Sequence, residues 1–283
     1  MRLESEHHGI ESTQKAREQT LTKYEQDLQT IIKESSFLSE MPSRCVPQFG
    51  ANEIEIGSIL GIGGFCAVRE VSGITLDPSL SHLQPSYQAR DSEFHETETR
   101  TYMAHNSQRN NSARYAIKMM KQKFDEEKFR YRGMLDLAIE AEYLSHLAHP
   151  NIIKMRGSLV CDSRVKEPGF FIVIDWLCET LQQRIDEIWP KEYKGMIGPF
   201  GIGKDKGKIR RFYLDRMMVA HDLSSVFRYL HSNGYVQDHC LRSFRNELNA
   251  NIVLNYGSTA TIHPLTHTNA SCTCTHHISF IVE

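Results

Sequence analysis

The chain lacks the features that would commit it to a membrane, an oxidising compartment or a polyanion. No window approaches the roughly 20 apolar residues that a spanning helix needs, and the run Met1-Arg-Leu-Glu-Ser-Glu-His-His has no apolar signal core. Lys plus Arg total 33 against Asp plus Glu at 35, so no global field favours nucleic acid or a membrane surface. The seven cysteines (45, 66, 161, 178, 240, 272 and 274) are odd in number and mostly scattered, unlike a disulfide framework. Reduced thiols in the cytoplasm or nucleus are the expectation. An apolar fraction of 40% and a charged fraction of 24% are ordinary for a globular chain, and 283 residues make one large domain or two small ones.

Two phosphate-binding signatures are also missing. A Walker loop needs Gly-x-x-x-x-Gly-Lys-Ser/Thr, which occurs nowhere. A dinucleotide fold needs a helix directly after its glycines. Here Gly61-Ile-Gly63-Gly64-Phe65 runs instead into Cys66-Ala-Val68-Arg-Glu-Val71, which is β-prone. The glycines therefore belong to a strand–turn–strand clamp, the kind of turn whose backbone N–H groups can approach phosphate closely.

Residues 1–45 are polar, but Leu21, Tyr24, Leu28, Ile31 and Ile32 recur at helical spacing. They predict a short amphipathic helix docked on its own domain, with a partner-binding helix as the alternative. Asn52–Leu60 and Ala67–Ser72 read as paired strands. Residues 75–112 turn polar and aperiodic and read as a long loop. Arg114–Met120 is a strand, Leu135–Leu147 a helix stopped before Pro150, Ile152–Leu159 and Phe170–Leu177 β-prone runs, and Leu181–Trp189 helical. Residues 192–211 interleave Gly195, Gly198, Gly201, Gly203 and Gly207 with Lys and Arg and read as a solvated basic loop. Phe212–His231 is a strongly periodic helix, and beyond Gly234 the periodicity disappears.

Lys118 closes the run Tyr115-Ala116-Ile117-Lys118. A strand of this pattern turns its lysine inward, where an unpaired ammonium would be costly to bury. It needs an anion. Glu140 on the following helix supplies a carboxylate, and Glu142 is the nearby alternative. At 100° per residue the two point about 200° apart, so only one can face the lysine.

These residues resemble a eukaryotic protein kinase of the serine/threonine type. The resemblance rests on Gly61-x-Gly63-x-Phe65-x-x-Val68, Ala116-Ile-Lys118, Glu140, Leu147-Ala-His-Pro-Asn-Ile-Ile153, Phe170-Phe-Ile-Val-Ile-Asp-Trp-Leu177 and the end of the Phe212–Val236 helix, Tyr229-Leu-His-Ser-Asn-Gly-Tyr-Val236. It covers about residues 50–236, interrupted at 75–112 and 192–211. It implies an α+β fold: a small lobe of antiparallel sheet with one helix, then a truncated helical large lobe. It implies an ATP site made by Gly61, Ile62, Gly63, Gly64, Phe65, Val68, Ala116, Lys118, Glu140, Asp175 and Leu177, with Ile174 as gatekeeper. Lys118 would hold the α- and β-phosphates, Glu140 would orient Lys118, and Asp175 to Leu177 would meet adenine. Mg2+ would accompany ATP, and the γ-phosphoryl group would pass to protein hydroxyls.

The chain departs from that pattern where catalysis would begin. Cys66 replaces the third loop glycine. A kinase then needs an Asp to orient the substrate hydroxyl and an Asn to hold magnesium. In Gln237-Asp-His-Cys-Leu-Arg-Ser-Phe-Arg-Asn246, His239 and Phe244 stand at those places. No Asp-Phe-Gly or Ala-Pro-Glu occurs. Residues 237–283 therefore read as an unstructured or aberrant tail, the product of a shifted frame or retained intron that transcript sequencing across Asn233–Asn246 would expose. Cys272-Thr-Cys274-Thr-His276-His277 has metal-capable side chains, but its spacing fits no usual two-plus-two pattern, so no metal site is expected. Catalytic residues are not assigned. The expectation is weak ATP binding without phosphoryl transfer, with a pseudokinase-like nucleotide- or partner-binding fragment as the alternative. A third reading is a misfolded fragment, because the 212–230 helix carries apolar residues that large-lobe helices would normally cover.

Overall fold

The computed structural model describes residues 2–40, 42–83, 99–110, 112–124, 126–177, 179–196, 205–234, 252–257 and 275–280. Residues 2–13, Glu179 and the last two stretches are described by backbone alone. The fold is α+β, with a mixed six-stranded sheet and several helices. The chain divides into two compact units: Met1–Leu147 with Lys154–Trp176, and Ala148–Ile153 with Leu177–Glu283.

The first unit opens with α1 (Arg2–Glu34) and α2 (Ser36–Glu40). The predicted helix is thus 33 residues long rather than short. Its apolar face is used within the chain, as Leu28 is buried in one cluster with Ala138 and Val165. The strands β1 (Gln48–Phe49), β2 (Ile54–Ile62) and β3 (Cys66–Ile74) follow. Next come α3 (Arg100–His105), the pair β4 (Gln108–Arg109) and β5 (Ser112–Ala113), β6 (Tyr115–Met120), α4 (Glu127–His146), β7 (Met155–Leu159) and β8 (Phe171–Asp175). The main sheet runs β1-β7-β8-β6-β3-β2. All its pairs are antiparallel except β1–β7, where Gln48 and Phe49 lie parallel to Ser158 and Leu159. The expected antiparallel sheet gains a parallel edge at β1–β7, and besides the expected helix α4 and the N-terminal α1 and α2 this unit holds the short α3. Two residues carry too little pattern for a strand to be read from sequence; Phe49 is placed by burial, at 0% exposure.

The polar stretch 75–112 is not one loop. Pro78–Leu83 forms a 3₁₀ turn, α3 is capped by the Thr99 hydroxyl accepting from the Tyr102 N–H, and β4 and β5 pair across Asn110 at φ 51°. Residues 84–98 and 111 lie outside the described residues. Arg100 anchors the return of the chain: it is buried, ion-paired with buried Glu53, and donates to the Gln48 and Leu80 carbonyls at 3.1 and 2.9 Å. Glu53 also accepts the Gly50 N–H at 2.7 Å and the Asp77 N–H at 2.6 Å. Full pairing is what lets two ions sit in the interior.

In the second unit β9 (Glu179–Thr180) leads into α5 (Leu181–Gln183), a π-helical turn over Arg184–Ile188, α6 (Trp189–Met196) and α7 (Lys206–Ser232). The expected basic loop at 192–211 is therefore helical at both ends, and residues 197–204 lie outside the described residues. The Asp205 carboxylate caps α7 by accepting the Gly207 and Lys208 N–H groups, at 2.8 and 3.1 Å, which outweighs the poor helix propensity of Gly207. Gly234, at φ 71°, ends the helix with the backbone only glycine adopts cheaply. Leu181, Trp189, Phe212 and Val219 form this unit's core, while Tyr213, Leu214, Met217 and Met218 stay exposed on α7. Within the expected unstructured tail, β10 (Ile252–Gly257) and β11 (Thr275–Phe280) pair antiparallel, and β10 also pairs with β9; the rest of 235–283 lies outside the described residues. Among the described residues no helix is long and apolar enough to cross a membrane.

Candidate functional site

Part of the expected site lies on one face of the main sheet. Val68 on β3 stands opposite Lys118 on β6, and Lys118 opposite Ile172 on β8; Ala116 stands opposite Ile174. Side chains two apart on a strand, and those directly opposite across a pair, share a face. Val68, Ala116, Lys118 and Ile174 therefore line one surface. Ala116, Lys118 and Ile174 are at 1%, 4% and 2% exposure.

Glu140 on α4 meets Lys118 there. The lysine Nζ lies 3.0 Å from Glu140 Oε1 and 2.8 Å from Oε2, with both side chains buried. Burying two ions this deeply costs several kcal/mol each before pairing returns it, so the pair itself adds little stability. Glu142 points elsewhere and pairs with Arg164, as expected for side chains two positions apart on a helix. Of the two candidate carboxylates, Glu140 is the one that faces the lysine.

The glycine-rich turn sits at the end of the β2–β3 hairpin. The Gly63 N–H donates to the Cys66 carbonyl at 2.9 Å and closes the turn, and the Lys121 N–H holds the Phe65 carbonyl at 3.0 Å. A Cβ added at Gly61 or Gly64 would meet nothing within 4 Å. Neither has positive φ, since Gly234 alone does among the described glycines. Among the described residues no packing contact requires glycine at 61 or 64, and their bare backbone leaves room for a group to approach. Ile62 is 66% exposed beside them. Phe65 packs against Gly133 of α4, where an added Cβ would fall 2.7 Å from Phe65 Cβ. Cys66, in the place of the third loop glycine, puts its Sγ 3.9 Å from Met120 Sδ.

The Asp175 carboxylate is paired within the protein. Arg156 grips it with Nε at 2.7 Å and Nη2 at 3.2 Å, a bidentate pair that sequence spacing does not announce, and the Trp176 N–H donates to the Arg114 carbonyl at 3.0 Å. Leu177 follows two positions after Asp175 and belongs to the second unit.

Within that second unit the His149-Pro-Asn151 stretch packs on α7. The His149 ring lies 5.1 Å from the Tyr229 ring, its Nε2 is 3.2 Å from Ser225 Oγ, and the Asn151 N–H donates to its Nδ1 at 3.1 Å. Burial pulls the His149 pKa below its ordinary 6.5. Gln237–Asn246, with His239 and Phe244, and Cys272 and Cys274 lie outside the described residues. Among the described residues no three His, Cys, Asp or Glu side chains converge as metal ligands would.

Compared with models of known protein families the chain matches none, and compared with curated proteins it matches none either.

Proposed function

We propose that the chain carries a protein-kinase-type ATP site, of serine/threonine class by resemblance, in a polypeptide that transfers no phosphoryl group as written. The observation that carries this reading is the Lys118–Glu140 pair. An ammonium and a carboxylate are buried together on the sheet face that also presents Val68 and Ala116, and in the turn before Val68 the described residues leave open space at Gly61 and Gly64. Lys118 carries three N–H donors, and Glu140 fixes where its Nζ stands, so that a phosphate oxygen brought beside it would meet a positioned cation. The backbone N–H groups of the 61–65 turn would cover the phosphates, and Val68 and Ala116 would flank the base. ATP with Mg2+ would supply a γ-phosphoryl group for a protein hydroxyl.

The residues that would activate that hydroxyl and hold the metal are replaced. Imidazole at His239 lacks the anionic charge of an aspartate, and the phenyl ring of Phe244 cannot ligate Mg2+. That substitution favours the second reading, a pseudokinase-like module that binds nucleotide or a partner without chemistry.

Equilibrium ATP binding by the full chain and its Lys118→Met variant is the test. Weak binding, lost in the variant, is expected, together with no phosphate incorporation into a generic protein substrate. Equal ATP affinity in both proteins would remove the assignment of Lys118. Robust phosphorylation that vanishes in Lys118→Met would instead show that the chain is an active kinase.

A further inference from the structure

We propose that α1, α2 and the β7–β8 connection form a built-in outer clamp on α4, which sets the rotation of that helix and so keeps Glu140 on Lys118. The consequence for nucleotide binding rests on the reading above; the mechanical claim does not.

The helix is held on two opposed sides. Inward, Glu140 meets Lys118. Outward, Glu142 pairs with Arg164 of the β7–β8 connection. Two residues apart on a helix means about 200° around its axis, so the two ion pairs act as opposed anchors. A rotation by one residue position, about 100°, would break both at once.

The clamp follows α4 from its first turn to its last. Arg17 Nε lies 2.9 Å from Glu127 Oε1, and the Tyr24 ring stacks on Tyr131 at 6.1 Å. Leu28 of α1, Ala138 of α4 and Val165 of the connection form one buried cluster, with Ile32, Leu135 and Ile139 packed around it. Ser163 donates from the connection to Glu25 of α1, so the connection grips both helices. Past α1, Phe37 stacks on Tyr143 and meets the His146 ring at its edge. Arg44 then binds the end of α4, its N–H to the Ser145 carbonyl at 2.8 Å and its Nη2 to the Leu144 carbonyl at 2.6 Å. Those are C-terminal carbonyls that no intrahelical donor reaches, so a cation there is favourable.

An extension docked this way biases one arrangement of α4 over others by its own contacts, which is all that positional coupling requires. Releasing α1 would uncover Leu135, Ala138 and Ile139 and leave the Glu142–Arg164 pair and the Phe37 and Arg44 contacts as what opposes Glu140 from outside.

The test uses the full-length chain with Arg164→Ala, Leu28→Ala, and the exchanged pair Arg164→Glu with Glu142→Arg. Lys118 Nζ accessibility is read by brief acylation with a small amine-reactive reagent and mass spectrometry. Hydrogen exchange reports α1, α4 and β6, and ATP affinity is measured alongside. Each single substitution should raise Lys118 acylation by about fivefold or more, the lower end of ordinary coupling between sites, with β6 protection unchanged. The exchanged pair should return it toward the wild-type value, which lost packing alone would not do. Unchanged Lys118 acylation in Arg164→Ala, or in Leu28→Ala while α1 amides lose protection, overturns the clamp. Should Leu28→Ala strip β6 of protection as well, the Arg164 series decides. A wild-type chain that fails to bind ATP while its Lys118 responds to the clamp variants leaves the clamp standing and removes the nucleotide reading.

Discussion

Lys118→Met leaves Glu140 buried without its cation, and the size of the penalty can be bounded. A stranded carboxylate can escape by taking up a proton. From an ordinary glutamate pKa near 4.3, that costs about 4 kcal/mol at pH 7 and only about 1 kcal/mol at pH 5, at 1.36 kcal/mol per unit. Glu140→Leu strands the ammonium instead, which from an ordinary lysine pKa near 10.4 can escape for about 5 kcal/mol at pH 7. Both ceilings agree with the ~3–5 kcal/mol typical of breaking one side of a buried pair. With the two side chains at 5% and 8% exposure, the penalties should approach those ceilings. The double variant Lys118→Met with Glu140→Leu strands nothing and should be less destabilised than either single. Native-state hydrogen exchange of the β6 and β8 amides measures each corner of this cycle at pH 7 and pH 5. The penalty of Lys118→Met should shrink on acidification, while that of Glu140→Leu grows, since its lysine must then shed a proton against a higher proton concentration. A Lys118→Met penalty equal at both pH values, or a double variant as unstable as the two singles added, would refute the buried-pair reasoning.

Gly133→Ala should weaken rather than strengthen the first unit, although alanine is the better helix former by about 1 kcal/mol. The new methyl would fall 2.6 Å from Met120 Cε and 2.7 Å from Phe65 Cβ; the methionine can swing away, but Phe65 Cβ moves only with the glycine-rich turn. Overpacking of about 1–3 kcal/mol should outweigh the propensity gain, and denaturant unfolding should show a net loss; a net gain would mean the turn is not pinned by α4. His149 sets a pH dependence in the second unit. Its folded pKa is depressed by burial, so the unfolded chain binds the proton more readily, and the neutral ring's contribution is complete above pH 6.5 and lost as pH falls through the folded value. Thermal unfolding should therefore show wild type losing more stability between about pH 7.5 and 5.5 than His149→Asn; parallel profiles would count against it.

Much of the site was legible because its signals are local. Lys118 stands in a short strand and Glu140 on a helix of known period, so their inward faces follow from counting. The choice of Glu140 over Glu142 needed one further fact, the position of Arg164, which lies far along the chain from Glu142 and carries no spacing signal. The bidentate grip of Arg156 on Asp175 was hidden for the same reason. In 75–112, local polarity masked a tertiary fact: Arg100 looks like a surface residue until Glu53 and two carbonyls surround it. At 206–211 a glycine and a run of basic residues read as loop, although Asp205 offered a helix cap.

The α+β class came from the resemblance that the elements carry, whereas periodicity by itself determined the strands around the glycine turn, the helices that became α4 and α7, and which lysine must be buried. Those depend on the repeat of a single element, strict alternation in a strand and the three-to-four spacing of a helix, and the chain writes that repeat out in order. Only the tertiary structure decided the parallel β1 edge, the partners of Glu142 and Asp175, the anchoring of Arg100, and the length of α4 that α1 and α2 cover. Each of these is a meeting of residues distant in the chain, settled by which buried charges and apolar faces could be satisfied together.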